Sequence, residues 1–132
     1  MLFQNTRKMN YLYAPESVVE RKQIFRDLHE AIGNENRLAM FKDIEGLSER
    51  LKNFNNPEII VFLGVKQIDL PSIIAIKELF LDASLIILLS DEDEETLSMA
   101  IHLRPKFVGM MSGDLDKIKP VVQKLFQKKR RF

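Results

Sequence analysis

The apolar positions of this chain change period several times along its length. Two runs, EIIVFLGV (58–65) and LIILLS (85–90), are apolar almost without interruption and rich in Ile, Val and Leu. A strand with water on one side alternates apolar and polar residues, so these runs predict strands covered on both faces. MNYLY (9–13), RLAMF (37–41) and KFVGMM (106–111) give three further short strands. Between them the apolar residues recur at helical spacing. Val18, Phe25, Leu28 and Ile32 form one face, with Ser17 to Glu20 spaced as a capping box and Gly33 as the stop. Ile44, Leu47 and Leu51 follow Asp43 as a candidate cap, and that helix ends in the turn-forming run from Asn53 to Pro57. Pro71 opens a helix carrying Ile73, Ile74, Ile76, Leu79 and Phe80. Asp91 to Glu95 complement the dipole at the start of a helix whose core face is Leu97, Ala100 and Ile101. Leu115, Ile118, Val122 and Leu125 mark the last helix, which begins near Lys117 so that Pro120 falls close to its first turn.

Five strands alternating with five helices predict an α/β fold. The expected architecture is a (βα)5 doubly wound five-stranded parallel sheet, with right-handed crossovers and helices on both faces. At 132 residues, without a Gly/Ser/Pro linker or an internal repeat, residues 1–132 form one domain. Its core spans about 9–126, and 127–132 is a basic tail.

Composition narrows the chemistry by subtraction. With no Cys there is no disulfide scaffold, thiol nucleophile or Cys-based zinc site. His29 and His102 are the two histidines, and neither has a Ser, Asp or second His at useful spacing. Consecutive acids in Asp91–Glu95 point in different directions on a helical turn and lack the spacing of a calcium loop, so no metal site is expected. Gly109 and Gly113 do not make a phosphate cradle, and Asp114 is placed to cap the last helix. No catalytic residue and no cofactor emerge. The first residues, MLFQNTRK, lack the apolar stretch of a secretory leader, and the longest apolar stretch, around 79–89, is broken by Asp82. A cytoplasmic chain without a membrane span is the expectation.

The order and spacing of these elements, from about Met9 to Leu125, resemble the receiver domain of two-component response regulators. Pro57-Glu58-Ile59-Ile60-Val61-Phe62 looks like the entry into strand three of a receiver, and SLIILLSDEDEETLSMAIHLRPKFVGMM looks like its strand four, helix four and strand five. The resemblance implies a flavodoxin-like, three-layer fold. It also implies where the reactive groups of a receiver should stand. The acidic pair falls on Ala14 and Pro15, the phosphoacceptor on Leu63 (or Gly64, one residue on), and the lysine on Met111. Only Ser90 matches, at the hydroxyl position. Aspartyl phosphorylation needs a carboxylate nucleophile, carboxylates to hold Mg²⁺, and a cation to balance the transferred charge. The resemblance is therefore to a degenerate receiver, or pseudo-receiver.

That likeness implies a non-enzymatic, bacterial-type signalling module, related to the phosphorelay and acting by protein–protein contact. In receivers the face of helix four, strand five and helix five meets partners or a second copy. Here it implies an interaction face of Met99, Ile101, Leu103, Phe107 and Met110, with a homodimer as one form of the contact. A flavodoxin-like small-ligand binder or enzyme is the alternative, its site at the strand ends among Ala14, Pro15, Gly64, Ser90, Asp91, Ser112 and Gly113. A third reading gives the KKRRF tail to a nucleic acid or membrane surface, but no interleaved aromatics or helix-turn-helix pattern accompany it. Nucleic acid is not the expected partner.

Overall fold

The computed structural model describes residues 9–53 and 56–130, of which 128–130 by their backbone alone. The strands are β1 (Met9–Tyr13), β2 (Arg37–Phe41), β3 (Ile59–Val65), β4 (Ser84–Leu89) and β5 (Phe107–Met110). All neighbours pair in parallel, in the order β2-β1-β3-β4-β5. The helices are α1 (Arg21–Ile32), α2 (Ile44–Asn53), α3 (Leu70–Ala75), α4 (Glu94–Ile101) and α5 (Ile118–Arg130). The doubly wound fold expected from the pattern is the fold observed.

Every residue of β3 and β4 is buried, as their unbroken apolar runs require. One layer of the core gathers Leu28, Leu63, Ile86 and Val122 between the sheet and the pair α1 and α5. The other gathers Leu47, Phe62, Ile73 and Ala100 beneath α2, α3 and α4. Asn10 is the buried polar residue that joins strands at the opposite end. Its amide donates to the Arg37 carbonyl at 3.1 Å and accepts from the Ile59 N–H at 3.1 Å.

Four local expectations are corrected. Ser17 does not cap α1, which starts at Arg21. Instead the Val18 N–H bonds the Pro15 carbonyl at 2.9 Å, and this turn drives Val18 into the core. The helix expected after Pro71 is split: α3 stops at Ala75, and a 3-10 turn over Lys77–Phe80 places Phe80 inside. On α4 the inward face is Thr96 and Ala100, followed by Leu103, while Leu97 and Ile101 face outward. The apolar pattern points one stripe too far round the helix because Thr96, buried with its hydroxyl bonded to Asp93, carries no apolar signal. Asp114 does not cap the last helix. Pro120 is the third residue of α5, after a 3-10 turn over Leu115–Lys117, where a helix has no use for its N–H.

The run Asn53 to Pro57 includes residues 54–55, which lie outside the described residues. So do 1–8, the side chains of 128–130, and 131–132, on which the readings of the leader and of the basic tail rest.

Candidate functional site at the carboxyl ends of the strands

Chain order reverses between β1 and β3, and folds of this kind open a crevice at the carboxyl ends of such strands. In this chain small and apolar residues stand at those strand ends. β1 ends at Tyr13 and runs into Ala14, which is buried. Its N–H bonds the Phe41 carbonyl at 2.8 Å, and its own carbonyl accepts from Arg21 Nε at 2.9 Å.

β3 ends in a bulge. Pairing with β4 shifts register between Phe62 and Val65, and Gly64 has φ +64°. Residues two apart on a regular strand share a face. Across this bulge Leu63 and Val65 enter opposite core layers. Leu63 is therefore a buried core residue of the α1/α5 side, and the backbone of Gly64 faces the rim. A Cβ on Gly64 would lie 2.8 Å from Val18 Cγ2, 3.7 Å from Ser90 Oγ and 3.8 Å from the Pro15 ring. So the fold brings together Pro15, Val18, Gly64 and Ser90. It also puts Ala14 in the same apolar cluster as Leu63, with Met111 packed at its edge.

Around these residues the connecting loops tie to one another. The Gln67 N–H bonds Asp91 Oδ2 at 2.9 Å, and its side chain donates to Glu95 Oε1 at 2.9 Å. Ser112 Oγ donates to Glu92 Oε2 at 3.1 Å. Asp93 is the N-cap of α4, accepting from the Thr96 N–H at 2.7 Å. That hydrogen bond, with a second from the Thr96 hydroxyl, holds the Asp93 carboxyl below the ordinary carboxylate range. Four of the five acids in the run are thus occupied within the chain. Asp114 folds back over Gly109, leaving no room for a Cβ there, and accepts from the Met110 N–H at 2.8 Å. Its ion pair with Lys117, 2.8 Å away, and the Met110 N–H lower its pKa.

Tyr13 is the buried titratable group of the rim. Burial pushes its phenol up to about 12, and the charges of Asp69 and Asp43 push the same way. Those two carboxylates are themselves engaged, Asp43 with the Gly46 N–H at 2.7 Å and Asp69 with the Lys66 N–H at 2.9 Å. Among the described residues no three His, Asp or Glu side chains converge as a metal site would need. Ala14, Pro15 and Leu63 carry no side-chain oxygen.

Of the expected interaction face, Ile101 is exposed, Leu103 is buried, and Met99, Phe107 and Met110 are half-buried. Phe107 packs on the α1/α5 side of the sheet and Met110 on the other. No helix among the described residues is long and apolar enough to cross a membrane. Two residues of the rim carried no signal in the sequence. Val18 looked like part of a helix face, and Gln67 was one polar residue among many.

No family profile and no curated protein matches the chain. Solved structures do. A CheY-like response regulator receiver domain protein from Methanospirillum hungatei superposes with a TM-score of 0.71 at 8% identity, covering 95% of this chain and 98% of that one. A response regulator from Thermotoga maritima gives 0.64 at 15% identity, covering 92% and 98%. A Burkholderia pseudomallei protein whose name relates it to pilus assembly gives 0.67 at 15% identity, covering 97% and 95%. These superpositions run along nearly the whole chain. The fold of this chain is the CheY-like receiver fold.

Proposed function

We propose that this chain is a receiver-fold signalling module that works without aspartyl phosphorylation, through contact with other proteins. One observation carries the reading. At the strand ends, where a receiver needs a nucleophile and metal-binding acids, this chain packs Pro15 and Val18 over a glycine bulge and buries Leu63 beneath it. In the resemblance to receivers, Ala14 and Pro15 take the places of the acidic pair and Met111 that of the lysine that would balance the charge. Ser90 keeps the hydroxyl position, though a hydroxyl without a phosphoryl group beside it has nothing to report. The fold neighbours include a protein named for pilus assembly as well as response regulators.

On this reading the chain is not an enzyme, needs no cofactor, and acts in the cytoplasm on a protein partner. Incubation with acetyl phosphate and Mg²⁺, followed by intact mass measurement at neutral pH, tests it. The unmodified mass is expected. A stoichiometric, acid-stable and alkali-labile phosphoryl adduct would overturn the reading.

A further inference from the structure

At the amino ends of β4 and β5, far from the rim described above, a groove of about 630 Å³ opens between the Lys77–Phe80 turn and the end of α4. Its volume lies in the range of roughly 300–1,000 Å³ typical of ligand clefts. Buried Phe80 and Leu103 form its floor, while Leu81 and Ile101 stand on its rim 66% and 53% exposed. Leu97, one helical turn before Ile101, is also exposed and extends the apolar strip beyond the groove.

Lys77 and Arg104 line the same groove, both exposed and neither in an ion pair among the described residues. Glu78 is the acid that lines it, and the ring of His102 is tied back to the Ser98 carbonyl. The groove therefore presents two cations, outnumbering its one acid, beside exposed aliphatic surface.

Arg104 adds an independent argument. It has φ +55°, the only described non-glycine residue at positive φ, and follows α4 directly before Pro105. Glycine is the residue that ends a helix in this conformation without steric penalty. An arginine here strains the backbone, and its guanidinium meets no partner within the described chain that would offset the strain.

Resting on the reading of the chain as a protein-contact module, we infer that this groove binds an acidic peptide segment of a partner protein. An aliphatic side chain of the peptide enters between Leu81 and Ile101, and flanking carboxylates pair with Lys77 and Arg104. The elongated apolar strip favours a peptide over a compact small molecule, which would leave Leu97 uncovered.

The test pans a displayed library of random peptides against the folded full chain and measures the selected consensus peptide against variants. Enrichment of acids beside Leu, Ile or Phe is expected, with affinity lowered at least about tenfold, or 1.4 kcal/mol, by Arg104→Gly. The same variant should melt no lower than the parent, because glycine relieves the backbone. Ile101→Ser, an exposed position, should also weaken binding without unfolding the chain. Peptides without acids, or equal binding by Arg104→Gly, would overturn the proposal. So would sedimentation showing that the chain self-associates and that Arg104→Gly abolishes this, since a second copy would then be the occupant. Failure here leaves the mass measurement with acetyl phosphate untouched, whereas a phosphoryl adduct would defeat the broader reading whatever the groove binds.

Discussion

Gly64 meets two demands that another residue would fail together. Its φ of +64° costs an L side chain about 1–2 kcal/mol, and a Cβ would stand 2.8 Å from Val18 Cγ2. Overpacking of that kind adds about 1–3 kcal/mol where the neighbour cannot yield. Gly64→Ala should therefore destabilise the fold by about 2 kcal/mol or more in urea titration. Val18→Ala removes the overlap but not the backbone strain, so the two substitutions should couple by at least about 0.5 kcal/mol in a double-mutant cycle. Additive effects would mean that Val18 does not press on the bulge. Leu63 is the complementary case. It is fully buried, so removing its side chain to Ala would leave a cavity, with a cost of about 2–5 kcal/mol, and no surface chemistry would be gained.

The elements at the rim are joined by hydrogen bonds among loops, with α4 as the hub. Its cap, Asp93, has a pKa below the ordinary carboxylate value because the Thr96 N–H stabilises the ionised form. A depressed folded-state value adds stability above the unfolded pKa of about 3.9, and that stability is lost as pH falls through the lowered value. Asp93→Asn keeps an oxygen acceptor for the cap but does not titrate. Urea unfolding from neutral pH down through the carboxylate range should show a shallower acid decline for Asp93→Asn than for the parent; identical profiles would contradict the assignment.

The strands were legible because burial on both faces demands continuous apolar runs, and β3 and β4 have them. The joints were not. Gln67 meets Glu95 across 28 residues, Ser112 meets Glu92 across 20, and no period in the sequence marks such a meeting. The outward turn of Leu97 and Ile101 was hidden for a related reason. A buried Thr held by its own cap takes the place of an apolar residue on the inner face of α4.

At the scale of the whole molecule, two properties separate cleanly. The frame, with strand order β2-β1-β3-β4-β5 and helices on both faces, follows from periodicity and needs no particular reactive residue. The crevice that such a frame provides is shaped by a handful of side chains, and here they are apolar, small or bonded to one another. The resemblance to receiver domains assigns Ala14, Pro15, Leu63, Ser90 and Met111 to that crevice. It did not show that Val18 packs against Gly64 there, because the turn at Pro15 is set by the backbone. The central proposal is that this crevice takes no Mg²⁺ and no phosphoryl group. Beryllofluoride with Mg²⁺ mimics that pair, and a ¹H–¹⁵N correlation spectrum reads each backbone amide. Titration is predicted to leave the amides of Leu63, Gly64 and Ser90 unmoved, whereas saturable shifts clustered at those three residues would contradict the account.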